Sequence, residues 1–149
     1  MKKFYFITIT FAIYFFAIAN IYAKELNHFN KGLKLFNKKE FEKSKIFFER
    51  DLVFNPKSEE SYLYLAKIFG SDENEEEQEI NLNNVLLLNP KNDEAIYLLT
   101  LLKIKQSDYK EANELIEKFV LVCNDFCSKK KEIEDKLKKI TPENAKNNN

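Results

Sequence analysis

Two nearly identical breaks interrupt this 149-residue sequence, Asn55-Pro56-Lys57-Ser58 and Asn89-Pro90-Lys91-Asn92. Proline cannot continue a helix, and the serine or asparagine that ends each break can cap the next helix. The positions of the two prolines give a spacing of 90 − 56 = 34. Between the breaks, apolar residues recur at the i, i+3, i+4, i+7 spacing of one helix face, as in Tyr62, Leu65, Ala66 and Phe69. The sequence therefore predicts helices that repeat at the spacing of the prolines.

The composition excludes several classes of protein. Glycine and proline number only 2 and 3, too few for a hairpin-rich β fold. Gly32 and Gly70 stand far apart, so no glycine-rich phosphate loop is present in the sequence. The 24 basic residues balance the 24 acidic ones, and this charge gives no general attraction to nucleic acid.

A helix–turn–helix unit with this period resembles the tetratricopeptide repeat (TPR). Phe41 and Tyr109, two apolar motif positions, are separated by twice the same period. The resemblance implies an all-α fold, a short TPR solenoid of three helix–turn–helix repeats plus a C-terminal capping helix. The expected domain covers 24–140, with repeats at about 25–58, 59–92 and 93–126 and the capping helix at 128–140. The tail, 141–149, has no apolar anchor and is expected to be disordered.

The N-terminus has the order of a secretory signal peptide. Met1-Lys2-Lys3 is followed by an apolar run from Phe4 to Ala19 and then by the small residue Ala23. We expect a signal peptide at 1–23, and a periplasmic or secreted mature protein. Two alternatives stay open: cleavage after Ala19, or an uncleaved segment that anchors the protein in a membrane with its body facing the periplasm.

Candidate catalytic groups are scarce. His28 is the only histidine, and we expect it to be a partly exposed surface residue. The sequence has no second histidine that could act as the base for a serine or cysteine nucleophile, and no zinc-ligand spacing is recognisable. The sequence therefore predicts a non-enzymatic protein, with no cofactor and no metal.

The two cysteines are Cys123 and Cys127. An even pair in an exported protein suggests a disulfide, which requires a break in the helix that Asn124-Asp125 would supply. Such a short loop would contribute about 2 kcal/mol. Two reduced thiols and a redox pair are the alternatives.

The TPR resemblance implies that the first helix of each repeat lines a peptide-binding groove. Its groove positions correspond here to Phe29, Leu33 and Phe36 in repeat one, to Leu63, Lys67 and Gly70 in repeat two, and to Tyr97, Leu101 and Ile104 in repeat three. Only Lys67 fits the pattern of the subfamily that grips C-terminal carboxylates. An apolar groove suits a hydrophobic peptide or an amphipathic helix. The alternatives are that several of these residues pack internally, or that the groove mediates self-association.

The sequence thus predicts an adaptor of the cell envelope that holds a segment of a partner protein in this groove. The alternative function is a membrane-anchored structural subunit, or a self-associating component, of an envelope assembly complex. The partner's identity and the oligomeric state do not follow from the sequence.

Overall fold

The computed structural model describes residues 28–140, and within that range every regular element is a helix. Helix α1 is described over residues 28–37. The elements that follow are α2 Phe41–Phe54, α3 Glu59–Ser71, α4 Glu75–Leu88, α5 Asp93–Lys105, α6 Tyr109–Val122, a short 3-10 helix Cys127–Lys129 and α7 Lys130–Ile140. The expected signal peptide and the tail at 141–149 lie outside the described residues. None of the described helices has the length and apolar character needed to cross a membrane.

The helix starts follow the predicted repeat. Helices α3 and α5 begin at Glu59 and Asp93, the first residues of the second and third predicted repeats. Ser58, Asn92 and Asp108 each accept a hydrogen bond from the backbone N–H three residues further on, at 3.4, 2.7 and 3.0 Å. These contacts satisfy backbone donors that have no partner inside the helix. The caps predicted at Ser58 and Asn92 are confirmed, and Asp108 caps α6 in the same way.

The turn inside each repeat is built without glycine. Lys39, Glu73 and Ser107 have φ angles of 61°, 57° and 63°, in the left-handed region that glycine normally occupies at the end of a helix. Their numbers differ by the repeat period (73 − 39 = 34 and 107 − 73 = 34), so each repeat has one such turn. At the third turn the N–H of Asp108 donates to the carbonyl of Lys103 at 2.9 Å, closing the end of α5. The three turns therefore have one geometry but carry no shared residue type.

The chain divides into two compact units, Met1–Ser61 and Tyr62–Asn149. In the N-terminal unit, Phe48 of α2 is fully buried against the backbone of Gly32 in α1. The hydroxyl of Ser44 donates to the carbonyl of Gly32 at 2.8 Å. The TPR motif usually has alanine at the position of Ser44, and this hydrogen bond satisfies the buried hydroxyl.

A second buried polar contact lies at the C-terminal end of the N-terminal unit. The carboxylate of Asp51 is buried and accepts a hydrogen bond from the Ser61 hydroxyl at 2.6 Å. The Ser58 hydroxyl donates in turn to Ser61 at 3.0 Å. Asp51 also stands where the motif commonly has alanine, and the hydrogen bond from Ser61 compensates for burying its carboxylate.

The C-terminal unit packs α3 to α7 around one apolar core. Its residues at 0% exposure come from all five helices, and they are Ala66, Leu82, Val85, Ala95, Ile96, Ala112, Phe119 and Ile133. Lys103 of α5 is buried at the edge of this core, where its Nζ lies 2.5 Å from Glu79 Oε1 and 3.2 Å from Glu111 Oε2. Burial alone would lower the pKa of Lys103, but these two carboxylates raise it. The lysine therefore stays charged and links α4, α5 and α6.

Helix α4 forms although Glu75 and Gln78 replace apolar or small residues of the motif. Glu75 pairs with Lys105 at 2.7 Å. Gln78 packs over Gly70, where an added Cβ would lie 2.6 Å from the Gln78 amide nitrogen. A glycine on α3 thus makes the room that the larger side chain on α4 requires.

The capping helix begins at Lys130, two residues later than the predicted start, because Cys127–Lys129 form a 3-10 helix. Ile133 and Leu137 are buried against the core, as their spacing predicts.

Candidate binding face on the first helices

The structure divides the five predicted side chains of the C-terminal unit into two groups. Leu63, Tyr97 and Ile104 are 8%, 7% and 8% exposed and belong to the core. Lys67 and Leu101 are half-buried and reach the surface. Internal packing therefore accounts for three of the five.

In the N-terminal unit, the predicted residues Phe29, Leu33 and Phe36 of α1 are all half-buried. The ring of Phe29 lies 5.7 Å from that of Phe48, and the ring of Phe36 lies 5.2 Å from that of Phe41, measured between centroids. Each phenylalanine thus packs against α2 with one part of its ring and keeps another part accessible.

Lys67 is engaged by two neighbours. Its Nζ lies 2.7 Å from Glu94 Oε1, an ion pair that joins α3 to α5, with the two side chains 23% and 24% exposed. The same Nζ lies 4.7 Å from the centroid of the Tyr64 ring, within cation–π range. Burial and the nearby Glu94 raise the pKa of Tyr64. Lys67, the one lysine among the predicted groove residues, is therefore neutralised by a carboxylate.

Two leucines continue this surface along α5. Glu94, Leu98 and Leu101 have the i, i+4, i+7 spacing that places them on one side of the helix, and both leucines are half-buried. We define the first-helix face as Tyr64, Lys67, Glu94, Leu98 and Leu101. Tyr64, Glu94 and Leu98 were not among the predicted site residues. For Glu94 and Leu98, the i, i+4, i+7 spacing that ends at Leu101 could have indicated that they share its side of α5.

Tyr97 faces the capping segment. Its hydroxyl donates to Glu132 Oε1 of α7 at 3.0 Å, and its ring centroid lies 5.8 Å from that of Phe126. Hydrogen bonds from Lys129, Lys136 and Tyr97 lower the pKa of Glu132 to about 2. Tyr97 therefore fastens α7 to α5 and is not available to a ligand.

A disulfide bond and hydrogen bonds to Asp93 both restrain the loop between α6 and α7. Helix α6 ends at Val122, and the sulfur atoms of Cys123 and Cys127 lie 2.08 Å apart in a disulfide bond. Asp93 Oδ2 accepts hydrogen bonds from the backbone N–H groups of Asn124 and Phe126, at 2.7 and 2.9 Å. Burial alone would raise the pKa of Asp93, but these backbone donors lower it.

The remaining candidate chemistry is limited. His28 is half-buried, its ring is stacked on that of Phe54 at 5.6 Å, and its Nδ1 is buried with no hydrogen-bond partner in the described structure. Within residues 28–140, no group of three His, Cys, Asp or Glu side chains is placed to hold a metal ion. What the first-helix face offers a ligand is apolar contact beside a paired lysine and glutamate.

Comparison with known proteins identifies the fold. No protein-family model matches the chain, and no curated protein matches it significantly. Among solved structures, the chain is similar to the Sgt2 TPR domain from Aspergillus fumigatus, with a TM-score of 0.68 and 20% identity over 82% of each chain. It is similar to the Arabidopsis OM64 TPR domain, with a TM-score of 0.71 and 19% identity over 78% of this chain and 96% of that one.

A third similar structure is the second TPR of Spaghetti (RPAP3), bound to the HSP90 peptide SRMEEVD. The TM-score is 0.62, with 15% identity over 66% of this chain and 92% of that one. The described part of the chain therefore has the fold of a TPR domain, and the all-α solenoid that the TPR resemblance implies is confirmed.

Proposed function

We propose that this protein is a non-enzymatic adaptor for protein–protein interaction, which holds a peptide or helix segment of a partner protein on its first-helix face. The observation that carries the proposal is the surface of α5, where Leu98 and Leu101 stand side by side, half-buried, next to the Lys67–Glu94 pair. A TPR fold presents such residues on the helices that face a bound segment, as the TPR resemblance implies.

The face favours apolar side chains in its ligand. Covering a leucine completely contributes about 1.5–3 kcal/mol, so two half-buried leucines would together contribute about 2 kcal/mol. The remaining affinity must come from further contacts along the segment, including the accessible parts of Tyr64 and the Lys67–Glu94 pair.

The same geometry disfavours an acidic ligand. The second TPR of Spaghetti (RPAP3) is bound to the HSP90 peptide SRMEEVD, which carries several carboxylates. In this protein Lys67 is already paired with Glu94, and an incoming carboxylate would have to displace Glu94. We therefore expect a weakly charged, apolar segment of the partner on this face.

The proposed place of action is the cell envelope, and the partner is an envelope protein. The support is the sequence order at 1–23, where a basic start, an apolar run and a small residue follow one another. Export through a cleaved signal peptide would shorten the 149-residue chain by its first 23 positions. The intact mass of the protein recovered from its cells tests this, because an uncleaved chain would instead support the membrane-anchored structural subunit.

The binding proposal is tested with Leu98→Glu and Leu101→Glu, which place a charge on the first-helix face. Leu121→Glu is the matched control, because Leu121 is 84% exposed on α6 and does not belong to that face. Proteins crosslinked to each tagged variant in its own cells are captured and quantified by mass spectrometry, and circular dichroism verifies the helical content.

We expect the two first-helix variants to lose a specific partner that the control retains. If all variants keep their helices and capture the same proteins in equal amounts, the first-helix face is not the binding site.

A further inference from the structure

Helix α4 carries an uncharged stripe with an exposed aliphatic residue at each end, on a side that its own unit leaves uncovered. Ile80 and Leu87 are 47% and 80% exposed. They lie seven residues apart, which is nearly two full turns, so they share one side of the helix. Asn83 and Asn84 lie between them, the first exposed and the second half-buried. We define the α4 stripe as Ile80, Asn83, Asn84 and Leu87.

This stripe has no charge of its own. The sequence from Ile80 to Pro90 contains no ionisable side chain, in a chain whose residues are 32% charged. Ile80 and Leu87 are therefore exposed aliphatic residues on a helix side that carries no charge between them.

The stripe is also symmetric about its centre. Around the midpoint between Asn83 and Asn84, an aliphatic residue stands three positions beyond each asparagine, Ile80 on one side and Leu87 on the other. A two-fold symmetric interface requires this kind of self-complementary pattern, since each residue meets the symmetry mate of another on the same surface.

The charges at the two ends of the helix select the antiparallel arrangement. The exposed Glu76 and Glu77 lie in the first turn of α4, and the exposed Lys91 follows its last turn. Two antiparallel copies would bring the acidic end of each close to the lysine of the other. Two parallel copies would instead place the acidic ends together, where they repel.

We propose that the α4 stripe is the interface of a symmetric dimer, in which a second copy of this chain lies antiparallel along α4. Ile80 of each copy packs on Leu87 of the other. The asparagine amides meet at the two-fold axis, where each can both donate and accept a hydrogen bond. This interface is separate from the first-helix face, which stays accessible on both copies.

The other second helices supply a control. Val53 and Leu121 occupy the repeat position of Leu87 and are 76% and 84% exposed. On α6, however, Glu114 replaces the residue corresponding to Ile80, and Glu117 and Lys118 replace the two asparagines. Leu121→Glu therefore places a charge at a leucine that is as exposed as Leu87 but lies outside the α4 stripe.

The test is sedimentation equilibrium of the protein recovered from its cells over a series of concentrations, for wild type, Leu87→Glu and Leu121→Glu. We expect wild type and Leu121→Glu to approach twice the monomer mass with the same dissociation constant. Leu87→Glu should raise that constant by at least about tenfold, because two charged side chains would enter the interface of each dimer. Both leucines are exposed, so both variants should keep the wild-type circular dichroism.

A second pair of variants tests the orientation. Glu76→Lys should weaken the dimer a few-fold, and adding Lys91→Glu should restore it, because the swapped charges attract again across the antiparallel pair. A wild-type chain that stays monomeric at every concentration would overturn the proposal. A dimer that persists in Leu87→Glu, or a charge swap that weakens it further, would do so as well.

Discussion

Removing the Cys123–Cys127 bond tests how the capping helix is attached. The bond closes a loop of five residues, counted from one cysteine to the other, between the end of α6 and the 3-10 helix that precedes α7. In the chain-entropy treatment a loop of this size stabilises the folded protein by about 2 kcal/mol. The Cys123→Ser, Cys127→Ser double variant should lose that amount. For a urea dependence of about 1–3 kcal/mol per molar, the unfolding midpoint falls by about 1 M.

Asp93 makes a second, independent connection to the same loop, through the backbone N–H groups of Asn124 and Phe126. Hydrogen bonds to a charged acceptor contribute about 1.5–3 kcal/mol when buried, so we expect about 1 kcal/mol at this partly exposed position. With the disulfide present, the loop stays confined after Asp93→Ala. Without it, the loop must first be ordered before the two hydrogen bonds form, so Asp93→Ala should destabilise the serine variant by less than it destabilises the wild type.

The assay is urea unfolding followed by circular dichroism, for wild type, the serine double variant, Asp93→Ala and the triple variant. Dithiothreitol should lower the midpoint of the wild type and leave the serine variants unchanged. A count of free thiols in the native protein completes the experiment. Two titrating thiols, or equal midpoints with and without dithiothreitol, would refute the reasoning.

Three further predictions concern stability. Ser107→Gly should raise it by about 0.5–1 kcal/mol, because the turn has a φ of 63°, and a lower thermal midpoint would contradict this. Gly32→Ala should destabilise the fold by roughly 1 kcal/mol in urea unfolding, because the new Cβ would lie 2.8 Å from the buried Phe48 ring. This crowding outweighs the better helix propensity of alanine. An unchanged midpoint would argue against the contact. The folded pKa of Glu132, about 2, is depressed from 4.5, so its stabilisation is complete above pH 4.5 and is lost as the pH falls through 2. Glu132→Gln should therefore be less stable than wild type at pH 7, by less than about 1 kcal/mol, and equal to it near pH 2; a difference that does not change with pH would disprove the assignment.

The repeat could be predicted because its signals are local. Proline at 56 and 90 ends one helix, and the capping residue two positions later starts the next, so Glu59 and Asp93 begin helices in the structure as the repeat period requires. The turns inside the repeats gave no such signal. Lys39 and Ser107 adopt the left-handed conformation because the helices on either side pack together and impose it, at a cost that glycine would avoid.

The residues of the proposed binding face were harder to predict, because burial depends on neighbours that are distant in sequence. Ile104 and Leu101 are both apolar and lie on the same helix, yet only Ile104 is buried in the core. The position of Lys67 was predictable from the repeat. Its pairing with Glu94, which belongs to the next repeat, depends on how α3 and α5 meet. Periodicity therefore places a residue on a helix, and only packing decides whether a ligand can reach it.

The most direct test of the proposed adaptor function is photo-crosslinking inside the cell. A photoreactive amino acid is introduced at Leu101 on the first-helix face and, as the control, at Leu121, which is more exposed but lies on α6. We predict that irradiation joins position 101 to one defined protein, and that position 121 yields no such product. Crosslinks of equal strength at both positions, or at position 121 alone, would contradict the claim that the first helices hold the partner.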